Sequence, residues 1–321
     1  MTITMPPATP MPAKVRMLLR TMSALQRIGL APTATRMLKK PVDVRRAQKP
    51  LPRLLDPTPE GVVLRDVSLP GPAGAPDVPA RLYTPATAAA GAIPVLYIHG
   101  GGWTVGGLPA CEHICQRIAA GASAVVVSVD YRLAPEDPYP AALDDCWAAL
   151  AWLISEATAL EVDLARLVIA GDSAGGNLTA ACVLLARKHG VHVAGQALIY
   201  PALDHTMSSP SVRGWRSAGL AIADLELASS AYCGDHDPAD PLLSPLLEPD
   251  LAGIPPALIL TAGHDPLREE AFRYADRLRE AGIPVEHSDY PGYAHGFFSL
   301  PKLWPGVEGA WSTLTDWIAQ H

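Results

Sequence analysis

Five short apolar runs in this 321-residue chain each end abruptly at residues that turn the backbone. Residues 93–98 run into Gly100-Gly101-Gly102, 125–129 into Asp130, 167–170 into Gly171, 196–200 into Pro201 and 257–260 into Gly263. Between them lie stretches of helical texture at 112–120, 141–157, 178–189 and 267–281. Continuous apolar strands alternating with amphipathic helices specify an α/β fold, a mostly parallel sheet covered on both faces. Residues 62–69 and 80–83 read as an antiparallel pair ahead of it, and 285–290 as the last strand. A Ser/Ala-rich, helix-like segment at 207–235 interrupts the alternation. Inserted there, it sits over the carboxyl ends of the strands, where open α/β sheets bind ligands.

Composition narrows the class. Hydrophobic residues are 49% and charged residues 18%, which excludes a disordered chain. A chain of this size buries about three quarters of its unfolded surface and needs neither disulfides nor a structural metal. The net charge of −7 argues against a nucleic-acid partner. The charge is unevenly spread: residues 1–53 hold eleven Lys or Arg against Asp43 alone, so the front is +10 and the remainder −17. Of five cysteines only Cys111 and Cys115 are close, with no histidine cluster beside them. They read as reduced thiols packed as small apolar groups in a cytoplasmic protein. No run approaches the ~20 apolar residues that span a bilayer, so stable membrane insertion is not expected. Pro6, Pro7, Pro10 and Pro12 interrupt any secretory apolar core. Residues 14–30 suit a helix with Leu18, Met22, Leu25 and Ile28 on one stripe. It reads as part of a lid on the protein's own surface; a membrane-surface helix or a presequence are the alternatives.

The chemistry centres on Gly171-Asp172-Ser173-Ala174-Gly175, a G-x-S-x-G between a short strand and a helix. A serine on such a turn is strained and exposes its hydroxyl, and the flanking glycines let strand and helix approach. The glycine run after His99 can turn backbone N–H groups toward one point, as an oxyanion hole requires, with Ala174 N–H as a further donor. A phosphate cradle fits less well, because neither G-x-G-x-x-G nor G-x-x-x-x-G-K-[ST] occurs. A serine nucleophile needs a base. His295, after the last strand, has the right place in chain order; His264 is the rival. Asp265 is the acid candidate, although an aspartate before Pro266 also suits a helix cap. Asp289 is the fallback.

With these pieces together, the chain resembles the hormone-sensitive-lipase-like (bacterial family IV) esterases of the α/β-hydrolase superfamily. The resemblance spans about residues 60–315. It rests on 99–102, Asp130-Tyr131-Arg132-Leu133-Ala134-Pro135-Glu136, 171–175, Asp265-Pro266-Leu267-Arg268 and His295-Gly296-Phe297. It implies an α/β-hydrolase fold with a helical cap built from residues 1–53 and about 207–235 on a catalytic domain of 54–321. It implies Ser173 as nucleophile, His295 as base, Asp265 as orienting acid, and oxyanion donors from Gly101, Gly102 and Ala174. It makes His99 a brace for its loop, calls for no cofactor or metal, and is compatible with a homodimer. Asp137 and His264 depart from the family pattern, where His and an apolar or aromatic residue are usual. Trp103, Trp215 and Leu220 are candidates to line the substrate site.

The function expected is a serine carboxylesterase acting on short- to medium-chain acyl esters, with a small-molecule ester as partner. Two alternatives remain at this point: an amidase or arylformamidase using the same triad, and a non-catalytic small-molecule receptor on the same scaffold.

Overall fold

The computed structural model describes residues 5–27, 34–48, 58–214 and 220–321. Three helices come first: α1 (Ala13–Arg27), α2 (Ala34–Leu38) and α3 (Val42–Arg46). Two strands follow, β1 (Val62–Leu69) and β2 (Val78–Pro85), then the alternating part. That part runs β3 (Pro94–Ile98), α4 (Leu108–Ala122), β4 (Val125–Val129), α5 (Ala141–Ser155), β5 (Val168–Asp172), α6 (Ala174–His189) and β6 (Gly195–Ile199). Next come α7 (Pro210–Arg213), α8 (Ile222–Cys233), β7 (Ala257–His264), α9 (Arg268–Glu280), β8 (Val285–Ala294) and α10 (Val307–Gln320).

The strands form one sheet in the order β1-β2-β4-β3-β5-β6-β7-β8. β1 and β2 pair antiparallel, β2 meets β4 antiparallel, and every later pairing is parallel. The central strands are buried on both faces, which is why they read as unbroken apolar runs. Their side chains still alternate. Val95, Tyr97, Val126, Val168, Ala170, Ala197 and Ile199 face α4 and α10, packing with Ile114, Ile118, Trp311 and Leu314. Leu96, Ile98, Val127, Val129, Ile169 and Leu198 face α5, α6 and α9, packing with Leu150, Leu153, Leu178, Cys182 and Leu278. Each large side chain so buried contributes about 1.5–3 kcal/mol, which fixes register, since a one-residue slip would exchange the two faces.

Some boundaries differ from expectation. α6 begins at Ala174, four residues before the expected 178, because the glycines at 175 and 176 belong to its first turn. β8 continues to Ala294 through Pro291 and Gly292, residues that ordinarily end a strand. It is an edge strand, where Pro is tolerated. α10 lies outside the helices expected, although Val307, Ala310, Trp311, Leu314 and Ile318 have helical spacing. α7 and α8 fall inside the inserted stretch; α8 packs against α2, and α3 against α4. α1 buries Val15 and half-buries Leu18 and Leu19, while Arg16 and Arg20 face outward. Ile28 lies outside the described residues. Among the described residues no helix is long and apolar enough to cross a membrane. All five cysteines are buried and free.

Candidate active site

The carboxyl ends of β3, β5, β7 and β8 run directly into His99, Ser173, Asp265 and His295. Ser173 is the pivot. It sits at φ 56° and ψ −116°, a conformation costing an L-residue about 1–3 kcal/mol. The backbone around it is over-determined: its N–H donates to Ile199 O at 2.8 Å, and its carbonyl accepts from Asn177 N and Ala202 N, each at 3.2 Å. The turn is possible only with glycine on either side. A Cβ at Gly171 would stand 2.4 Å from Gly175 O, and one at Gly175 2.0 Å from Ile98 O.

β5 and β8 are three strand positions apart, about 14 Å at the usual spacing. The side chains of Ser173 and His295 nevertheless meet at the carboxyl end of the sheet. Ser173 Oγ–H donates to His295 Nε2 at 2.8 Å, and His295 Nδ1–H donates to Asp265 Oδ2 at 2.7 Å. Asp265 is buried, and its other oxygen accepts from Leu267 N at 2.9 Å. One carboxylate therefore both caps the approach to α9 and orients the imidazole. Burial works against the charged form of His295, but the Asp265 charge, the hydrogen bond to it and the Asp172 charge outweigh this. Its pKa is raised from the ordinary 6.5.

The rivals are occupied elsewhere. His264 Nε2–H donates to Thr9 O at 2.8 Å. Asp289 accepts from Arg268 at 2.8 and 2.6 Å and from Thr261 Oγ1 at 2.8 Å. Asp137, a departure from the family pattern rather than a rival, donates its backbone N–H to Leu133 O at 3.0 Å.

Opposite the serine lies the glycine loop. Gly101 and Gly102 adopt φ 125° and 56°, and a Cβ at Gly101 would fall 2.0 Å from Val105 O. The loop's carbonyls are engaged: Gly100 O by His99 Nδ1–H at 2.7 Å, Gly101 O by Thr104 N and Val105 N, and Trp103 O by Ala134 N at 3.0 Å. His99 is buried, stacks on Tyr131 at 4.2 Å, and its pKa is depressed, chiefly by burial. Gly101, Gly102 and Ala174 line the same cavity as Ser173 and His295. The Ala174 amide is among the first four of α6, which have no partner inside the helix and sit at its positive end.

That cavity has a volume of about 520 Å³, within the ~300–1,000 Å³ of small-molecule sites. Leu220 lines it, as does Trp103, whose indole is 1% exposed and stacks on Tyr232 at 5.1 Å, so most of that ring packs into protein. Trp215 lies outside the described residues. Among the described residues no cluster of three or more His, Cys, Asp or Glu has the arrangement of a metal site.

Sequence reasoning missed two contributors. Asp172 Oδ1 accepts from Gly100 N at 2.9 Å and Tyr97 OH at 2.7 Å, tying the glycine loop to the serine turn. The signal was its place inside the motif, at the end of an apolar strand. Tyr200, ending the run before Pro201, presents its ring to His295 at 4.9 Å.

The sequence profile of the alpha/beta hydrolase fold matches residues 95–299. Carboxylesterase NlhH of Mycobacterium tuberculosis is 41% identical over 244 residues, covering 74% of this chain and 76% of the relative. Carboxylic ester hydrolase LipN of the same organism is 41% identical over 271 residues, covering 81% and 71%. Among solved structures, an alpha/beta hydrolase enzyme from the metagenome of Lake Arreo, Spain, superposes with a TM-score of 0.85 at 36% identity, over 97% of this chain and 98% of that one. The chain belongs to the alpha/beta hydrolase fold family, in its hormone-sensitive-lipase-like branch.

Proposed function

We propose that the protein is a serine carboxylesterase that cleaves short- to medium-chain acyl esters through an acyl-enzyme, with Ser173 as nucleophile, His295 as base and Asp265 as orienting acid. The observation that carries this is the unbroken relay of 2.8 and 2.7 Å from hydroxyl to imidazole to carboxylate beside a glycine loop. The names of the relatives, carboxylesterase and carboxylic ester hydrolase, support the same reaction.

The steps follow from the geometry. Ser173 Oγ attacks the ester carbonyl while His295 Nε2 takes its proton. Asp265 holds the imidazole in the tautomer that offers Nε2 as acceptor and stabilises the cation that forms. The developing oxyanion lies against the amides of Gly101, Gly102 and Ala174, each worth about 10²–10³ in rate. The tetrahedral intermediate expels the alcohol, which takes the proton from His295. Water, deprotonated by the same nitrogen, then attacks the acyl-serine and releases the acid. The segments 1–53 and 207–235 act as the cap over the cavity; Met37, Leu220 and Leu225 on its wall support that role. Five buried free thiols suit a reducing, cytoplasmic setting. The family resemblance suits a homodimer, which size-exclusion chromatography would read directly.

Ser173→Ala should lower turnover of a p-nitrophenyl ester by at least about 10³-fold, and should abolish stoichiometric labelling by an organophosphonate. Full activity in that variant would end the proposal. A matched ester and amide pair, assayed together, should show the ester strongly preferred.

A further inference from the structure

The glycine loop is fastened at two ends, and the second fastening comes from far away in the chain. At the near end, Gly100 N–H donates to Asp172 Oδ1 at 2.9 Å. At the far end stands Arg45 of α3, whose side chain is 0% exposed although it carries a permanent charge. Its Nη1 donates to Ala134 O at 2.8 Å and also to Thr104 O, its Nε donates to Lys40 O at 3.1 Å, and its Nη2 pairs with Glu136. Its own carbonyl accepts from Gly106 N at 3.0 Å. One residue thus holds 104 and 106 from behind. It also holds Ala134, whose N–H in turn supports Trp103 O at 3.0 Å. Thr104 N and Val105 N close the turn onto Gly101 O at 3.2 and 3.1 Å, so a shift at 104 is passed to Gly101 and, along the chain, to Gly102.

A buried guanidinium spent on backbone carbonyls is an unusual use of charge, since buried arginines ordinarily face carboxylates. Its carboxylate partner, Glu136, has a side chain 46% exposed and lies at the outer end. The inner donors go to the loops. We propose that Arg45 is a positioning residue for the reaction: it sets the backbone of 101–102 so that their amides meet the oxyanion, and thereby makes oxyanion stabilisation depend on the basic N-terminal segment. This rests on the esterase reading above.

The planar fork of arginine reaches several acceptors at fixed angles, which a lysine ammonium cannot reproduce. The test uses the 321-residue chain, with every rate normalised to active sites titrated by a phosphonate. Arg45→Lys should lower kcat about tenfold or more, and slow phosphonate inactivation by the same factor, while KM stays within about twofold. Glu136→Gln, altering only the half-exposed end, should lower kcat about two- to threefold, again at unchanged KM. Arg45→Lys with wild-type kcat per titrated site, or a loss carried in KM, would overturn the proposal. If Arg45→Lys does not fold, wild-type kcat in Glu136→Gln overturns it instead. Should the wild-type protein resist phosphonate titration, the esterase reading fails rather than the role of Arg45.

Discussion

At His295 two influences oppose each other, and their balance sets how the enzyme responds to pH. Burial disfavours the imidazolium; the charge of Asp265, its hydrogen bond and the charge of Asp172 favour it, and the net pKa is raised above 6.5. As the proposed base, His295 works only when neutral, so activity should fall as pH drops through that raised value. The acid limb of kcat/KM should therefore lie on the alkaline side of an ordinary histidine. His205 and His287 cannot supply this limb, because burial lowers each to about 4. Asp265→Asn removes most of what raises His295, so the limb should move downward while kcat falls about 10⁴-fold. A pH–rate series on both proteins checks this, and a flat profile from about pH 5 to 9 would contradict it. That Ser173, His295 and Asp265 would be candidates to meet was legible, because motif and chain order single them out. Asp172 was not, because nothing in a sequence says that a motif's variable position will face a loop 72 residues upstream. Asp172→Ala leaves Tyr97 OH and Gly100 N–H without their acceptor, at about 1–3 kcal/mol each for buried groups. Asp172→Asn keeps an oxygen there, so thermal unfolding should rank wild type above Asn and Asn above Ala.

Elements are held by what their shortest approaches allow, and α6 against β5 and β3 is a close case. The same close approach explains why α6 starts earlier than its sequence suggests: glycines at 175 and 176 look like turn residues, yet they are needed inside the helix to pass Ile98 O and Pro201. Gly175→Ala places a Cβ 2.0 Å from a strand carbonyl, so the helix must move. The cost should be about 1–3 kcal/mol or more, with esterase activity lost in the folded fraction because Ser173 shifts with the turn. Gly190 makes a useful control. It closes the same helix at φ 67° with open space around it, so its replacement by alanine meets only the left-handed penalty of about 1–2 kcal/mol and should leave kcat unchanged. Denaturant melts with active-site titration on both variants would separate packing from conformation. The central strands were legible because burial on both faces leaves an unbroken apolar run. β8 was legible only in part: as an edge strand it carries Pro291 and Gly292, which mimic a strand end.

At the scale of the whole molecule, the two walls of the cavity are what no local pattern could reveal, because distant segments build them. Met37, Gln48, Leu220 and Leu225 come from the N-terminal part and the insertion, where α2 packs on α8. Ala110, Cys111, Ile114, Ser299 and Leu300 come from α4 and the turn after β8, which also pack together. Ser173 lines the space that both groups share. An ester has two limbs, acyl and alcohol, diverging from the carbonyl that the serine attacks. Two walls of separate origin should therefore be filled by different limbs. Ala110→Leu narrows the α4 side and Leu220→Trp the insertion side. In a series of esters varied independently in acyl and alcohol length, each variant should lose the longer members of one limb only, by about 10–200-fold in kcat/KM. The two variants should differ in which limb they trim, with the shortest esters little affected in either. If both trimmed the same limb, the walls would belong to one channel, and the second limb of the substrate would have to lie in solvent.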